Sequence, residues 1–178
     1  MKNNIKKALK KVALGGVLVA AASGVHAASQ GTIGANSTGS TDISLQVLGA
    51  IKISNIADIT LPDFSGAAVS GNTGVCVYTN ATGGLYEVTA SATGGFALDE
   101  VGPGTNTIAF TVDYNDGSNT FALTNGTAQD VDGASATDDD CGGSGTNATV
   151  TVNVSSAAAS AVPQGDYAKT LTLVVAPR

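Results

Sequence analysis

The sequence has no tryptophan, and its single histidine, His26, lies close to the start of the 178-residue chain. Without a histidine beyond residue 26, the rest of the chain cannot build a Ser-His-Asp or Cys-His catalytic device. Its glycine-rich stretches lack the lysine of a phosphate-binding loop. Carboxylates such as Glu87, Asp99 or Glu100 could still act as acid and base. A glycosidase site, however, normally also has aromatic side chains that stack on the sugar, and this chain has no Trp and few Tyr. We therefore expect no enzymatic activity and no cofactor.

Positive charge is also scarce, and most of it lies in the first eleven residues. Five of the eight basic residues lie there, followed by an apolar run over residues 12–22 and by Val25-His26-Ala27. A charged start, a short apolar run and an A-x-A-like site are typical of a secretory signal peptide. The apolar run is shorter than the roughly 20 residues that cross a bilayer. The sequence predicts a signal peptide over residues 1–27 and no membrane insertion of the mature chain.

Removal of residues 1–27 would leave three basic residues against fourteen acidic ones, a net charge near −11. Such a surface repels nucleic acid and anionic lipid, so we expect neither as a partner. The remaining length, about 150 residues, suits one domain with a sizeable core.

Cysteine is rare as well, with only Cys76 and Cys141 in the chain. Export would place the pair in an oxidising compartment, where two such residues normally form a disulfide. A metal site would need further ligands that the mature chain lacks, so we expect no metal. The sequence predicts a Cys76–Cys141 disulfide.

The apolar residues recur with the period of two that is typical of strands rather than the 3.6-residue period of helices. The predicted strands are Ile43–Val47, Ile51–Ile53, Val75–Tyr78, Leu85–Ala90, Ile108–Tyr114, Val150–Val154 and Tyr167–Val175. Turn-forming clusters separate them at residues 115–118, 124–126 and 142–145. The run Ser155–Ala161 predicts either one helical turn or an irregular loop. This pattern favours an all-β sandwich or barrel over an α/β sheet.

Residues 28–41 have the composition of a mobile tail, with Ile33 as the one sizeable apolar side chain. The alternating segment that follows needs a groove for its apolar face. It can occupy a groove in its own domain or, by strand addition at an exposed sheet edge, in a neighbouring molecule.

Two acidic stretches suggest cation binding but have simpler interpretations. Residues 113–119 resemble a calcium loop, although the glycine is misplaced and the bidentate Glu is missing, so a hairpin turn is the better interpretation. The Asp138-Asp139-Asp140 run could bind a cation weakly, but a solvated loop is the better interpretation.

The order of several segments resembles one family across essentially the whole mature chain. The segments are Ala50-Ile51-Lys52-Ile53-Ser54, Ile59-Thr60-Leu61-Pro62-Asp63-Phe64, Val75-Cys76-Val77-Tyr78, Tyr86-Glu87-Val88-Thr89-Ala90, the Leu123-Thr124-Asn125-Gly126 turn, Cys141-Gly142-Gly143, Asn147–Val154, Pro163-Gln164-Gly165-Asp166-Tyr167 and Leu171-Thr172-Leu173. In these segments the chain is similar to subunits of archaic chaperone–usher pili and to spore coat protein U domains. One departure is residues 51–54, which lack a cysteine that many relatives carry.

The resemblance implies an immunoglobulin-like β-sandwich that lacks its last strand and is completed by an N-terminal donor strand. It divides the chain into the signal peptide, an extension over residues 28–49 and a pilin domain over residues 50–178. The donor strand would span Ser40–Gly49, with Ile43, Leu45 and Val47 filling the groove of the next subunit.

The implied function is a structural subunit of a surface fimbrium that supports adhesion or biofilm formation. Its implied partners are identical or homologous subunits, a periplasmic chaperone and an outer-membrane usher, and export through the periplasm would lead to the cell surface. The alternative is a self-complemented secreted β-sandwich that acts as a coat or ligand-binding module.

Overall fold

The structure, a computed structural model, describes residues 28–143 and 145–178. The predicted signal peptide lies outside these residues. The described chain falls into two units, one that ends at Gln46 and one that spans Val47–Arg178. Among the described helices, none has the length and apolar character needed to cross a bilayer.

The second unit is built almost entirely of antiparallel strands. Strand bounds are β1 (Ile51–Ser54), β2 (Val69–Thr79), β3 (Tyr86–Ser91), β4 (Ala97–Glu100), β5 (Thr107–Ala109), β6 (Thr111–Asn115), β7 (Thr120–Leu123), β8 (Ala128–Val131), β9 (Ala148–Val154), β10 (Tyr167–Ala168) and β11 (Thr172–Pro177). One 3-10 turn, Thr82–Gly84, and one short helix, α1 (Ser156–Ser160), accompany them. The helix confirms the first of the two interpretations of the Ala/Ser run, and the Ser155 hydroxyl caps it by accepting the Ala158 N–H.

The strands form three sheets, in the orders β1-β2-β9-β6-β7, β11-β3-β8 and β10-β4-β5. Alternate residues of β9 and β3 are buried, as a period-two pattern requires when one face of a sheet packs on a core. Side chains from all three sheets meet in one apolar core. The prediction of an all-β sandwich is confirmed.

Tyr86 of β3 and Tyr114 of β6 link the β11-β3-β8 sheet to the five-stranded sheet inside this core. Their rings meet edge to face at 6.4 Å between centroids, and their hydroxyls are 2.7 Å apart. Both side chains are almost fully buried. Burial raises the pKa of the Tyr86 hydroxyl to about 12 and raises the pKa of Tyr114 as well. The sequence predicted strands here but not this polar contact inside the core.

Two predicted strands are each divided in the structure. The segment predicted as Ile108–Tyr114 is β5 and β6, which belong to different sheets, and the Phe110 N–H between them bonds the Phe96 carbonyl. The segment predicted as Tyr167–Val175 is likewise β10 and β11. The prediction of single strands was wrong at both places because alternation does not reveal where a chain changes sheets.

In the first unit, residues 29–40 form a loop that is closed by hydrogen bonds between its two ends. Ser29 and Ser40 exchange two backbone hydrogen bonds, and their hydroxyls are 2.6 Å apart. Ile33, inside this loop, is fully exposed.

Candidate functional site

The feature of the second unit best suited to binding is an apolar cleft whose walls are residues 56–61, which follow β1, and residues 169–173, which lead into β11. β1 ends one sheet, β11 ends another, and the two strands lie next to each other. The cleft has a volume of about 420 Å³. Its apolar lining comes from Ile56, Ile59, Leu61, Leu98, Phe110, Val150, Val152, Leu171 and Leu173.

The floor of the cleft belongs to the core, but its sides do not close over it. Val150 on the floor is fully buried. Ile59, Leu61, Leu171 and Leu173 pack against the core and yet stay only half-buried. When an apolar side chain is partly exposed, covering the rest of it would stabilise the protein further through the hydrophobic effect. The cleft therefore has an apolar surface that a further strand could cover.

One wall is the irregular segment that follows β1. The Asn55 side chain donates to the carbonyls of Asp140 and Gly145, at 3.1 and 2.8 Å, and the Ala57 N–H donates to the Thr73 hydroxyl at 3.0 Å. Further along, a Cβ at Gly71 would lie 2.7 Å from the Thr60 carbonyl oxygen. Glycine at position 71 therefore lets this wall lie directly against β2.

The opposite wall is the start of β11 and the residues before it. β11 pairs with β3, with Leu173 opposite Ala90, and its other edge faces away from that partner. An edge strand presents backbone N–H and C=O groups that can accept another strand. The one cation of the lining, Lys169, is held by Asp99 at 2.6 Å.

The predicted disulfide joins Cys76 of β2 to Cys141, and that prediction is confirmed. It fixes residues 138–143 beside β1, where Lys52 forms an ion pair with Asp139 at 2.9 Å. The hydrogen bond with Asp139 raises the pKa of the Lys52 ammonium. Because Asn55 also bonds this loop, the disulfide supports the first wall of the cleft.

The two acidic stretches behave largely as turns. Asp116 accepts hydrogen bonds from the N–H groups of Ser118 and Asn119, at 2.8 and 2.6 Å, between β6 and β7. Burial opposes its charge, but these hydrogen bonds prevail and lower the pKa of its carboxyl group. The carboxylates of Asp138, Asp139 and Asp140 lie within 4.8 Å of one another, and Lys52 partly neutralises them. Sequence reasoning did not anticipate that Asp116 would be buried.

The three residues predicted to fill a neighbour's groove lie outside any strand. The side chains of Ile43, Leu45 and Val47 are 93%, 87% and 76% exposed. These three large aliphatic side chains alternate along the chain, so in a strand they would form one apolar face. The described residues leave this face largely exposed to water. The predicted donor residues and the sides of the cleft are thus both apolar and both at least partly exposed.

Comparisons with known proteins give no family. No family model matches the chain, and no curated protein matches it. The chain is similar to a solved structure of a chaperone–tip adhesin complex of CFA/I fimbriae, at a TM-score of 0.49 and 15% identity over 72% of this chain and 41% of that one. It is also similar to a mutant of CfaE, the CFA/I adhesin of enterotoxigenic E. coli, at a TM-score of 0.47 and 14% identity over 68% of this chain and 39% of that one. This chain spans about two fifths of the length of these proteins, and similarities this weak assign it no function.

Proposed function

We propose that this protein is a structural subunit of a bacterial surface fimbrium assembled by donor-strand exchange. In this proposal Ile43, Leu45 and Val47 of one copy enter the cleft between residues 56–61 and residues 169–173 of the next copy. The observation that carries it is the pairing of an open apolar cleft with an exposed, alternating apolar segment in one chain. The sequence resemblance to archaic chaperone–usher pilus subunits supports the same function.

The free energies are adequate for a lasting junction. Full burial of each of the three aliphatic side chains contributes about 1.5 to 3 kcal/mol. Each backbone hydrogen bond added along the β11 edge contributes about 1 kcal/mol net. The total is on the order of 10 kcal/mol before the cost of ordering the segment is subtracted. The same exposed edge would make a free subunit prone to aggregation, which is why we include a periplasmic chaperone and an outer-membrane usher as partners.

The experiment compares two single substitutions of the full chain, Leu45→Asp and Ser44→Asp, in cells that export it. Both add one carboxylate at neighbouring positions, but only residue 45 belongs to the apolar face. Surface material is run on a denaturing gel with and without boiling. We expect the wild type and Ser44→Asp to give a ladder that boiling collapses, and Leu45→Asp to give monomer, because burying a charge is costly.

A normal ladder from Leu45→Asp would contradict donor-strand exchange. The alternative function, a self-complemented coat or ligand-binding module, predicts a single monomer band from the wild type. That alternative has one observation in its favour, since the cleft volume falls within the range of small-molecule sites.

A further inference from the structure

The chain enters β1 through a group of hydrogen bonds centred on Asn80. Asn80 Oδ1 accepts the Ala50 N–H at 2.7 Å, and Asn80 Nδ2 donates to the Leu48 carbonyl at 2.8 Å. The Ala50 carbonyl in turn accepts the Asn80 N–H at 3.1 Å and the Thr79 hydroxyl at 3.0 Å. We call these contacts, made by Thr79 and Asn80 to Leu48 and Ala50, the exit clamp.

The exit clamp continues the pairing of β1 and β2 beyond the end of β2. In this pair Ile51 lies opposite Thr79, so Ala50 lies opposite Asn80. The Asn80 side chain takes the place of a backbone partner for both Ala50 and Leu48. The Leu48 C=O and the Ala50 N–H both point towards β2. Residues 48–50 therefore run as an extended N-terminal continuation of β1.

The exit clamp affects whether the apolar segment at residues 43–47 fills the cleft of its own domain or that of a second copy. A segment that returned to the cleft of its own domain would have to reverse direction close to Gly49, between the two clamped residues. Such a reversal would turn the Leu48 C=O or the Ala50 N–H away from Asn80 and break a hydrogen bond. Thr79, which bonds the Ala50 carbonyl, is fully buried, so it cannot move with the chain to keep these hydrogen bonds.

We propose that Asn80 is a positioning residue that favours donation of the segment to a second copy of this chain over insertion into its own cleft. The inference rests on the proposed function, because it concerns the choice between two clefts for the same segment. Two neutral hydrogen bonds from one side chain are enough to shift that choice about tenfold.

The experiment places a diazirine-bearing amino acid of similar size at position 45 of the full chain. Illumination links this residue to the cleft that holds it, and the linked peptides are identified by mass spectrometry. Links between chains appear as bands that survive boiling, whereas links within a chain appear in the monomer band. The ratio of the two is measured with Asn80 intact, in Asn80→Ala and in Asn80→Asp, which retains only the acceptor for Ala50.

We expect the ratio of between-chain to within-chain links to fall about tenfold in Asn80→Ala and to fall in Asn80→Asp as well. The control is Asn106→Ala, which removes the bond from another exposed Asn side chain to Glu100, and it should leave the ratio unchanged. An unchanged ratio in folded Asn80→Ala would overturn the role of Asn80 and leave the proposed function standing. A lack of any link to cleft peptides in every variant would overturn both.

Discussion

The two sides of the sandwich differ in how completely their apolar side chains are covered. Around Tyr86 and Tyr114, side chains such as Val88 and Val112 are fully buried. At the side where β1 and β11 lie next to each other, Leu171 and Leu173 pack on the same core but stay partly exposed. Both sides are lined by apolar side chains, so the difference is not one of composition. It arises because the cleft between residues 56–61 and residues 169–173 is left open at the second side.

The fold can be stable while one side stays open. The closed side contains the largest fully buried side chains, Tyr86 and Tyr114, so it can provide much of the hydrophobic free energy of folding. The open side is supported from outside by the disulfide loop and by Asn55. If the proposed function holds, stability and strand binding belong to different regions of the domain.

The largest expected effect comes from removing the disulfide, which supports the open side. It spans 65 residues of sequence, and the loss of such a link costs about 4 kcal/mol of unfolding free energy in the chain-entropy model. We expect Cys76→Ser with Cys141→Ser to lower the stability measured by urea unfolding by about that amount. Hydrogen exchange in this variant should accelerate more in the wall at residues 55–61 than at Val112. Equal acceleration in the two regions would show that the disulfide does not act on the cleft in particular.

The second prediction compares truncation on the two sides in the unassembled full chain. Val112→Ala should lower the free energy of unfolding by about 2 kcal/mol, because it leaves a cavity in a closed core. Leu173→Ala removes more carbon, yet it should cost no more than Val112→Ala, because the side chain is partly exposed and its removal widens an open cleft instead of leaving a closed cavity. Thermal and urea unfolding of the two variants provide the measurement. A larger loss from Leu173→Ala would mean that the cleft is already filled in the monomer.

Sequence alone was a good guide to the strands that form the core. The alternation in β9 and β3 predicted both strands, and the predicted disulfide between Cys76 and Cys141 is present beside the open side. Two short strands that follow turn clusters, β7 and β8, were not predicted. Each has four residues, so neither shows more than one repeat of an alternating pattern.

The cleft could not be predicted in the same way. Its lining combines residues about 110 positions apart in sequence, such as Ile59 and Leu171, and pairing between distant strands leaves no local pattern. The hydrogen bonds of Asn80 were missed because an Asn that closely precedes a Gly-Gly pair, here Gly83-Gly84, is also typical of an ordinary turn. By contrast, Ile43, Leu45 and Val47 stood out in the sequence, since a period-two apolar row is visible without knowledge of what it contacts.

The smallest expected effect concerns pH on the closed side. Burial raises the pKa of Tyr86 to about 12 from the usual value near 10, which an unfolded chain would have. The folded state thus favours the neutral hydroxyl, and this contribution to stability is complete below pH 10 and is lost as pH rises from 10 towards 12. Urea midpoints should therefore fall between pH 10 and 11, with a loss of about 1 kcal/mol at pH 11. In Tyr86→Phe with Tyr114→Phe, which removes both hydroxyls together, the fall should be smaller. An equally steep fall in that double variant would place the alkaline sensitivity outside the tyrosine pair, for example at the Lys52–Asp139 ion pair beside the cleft.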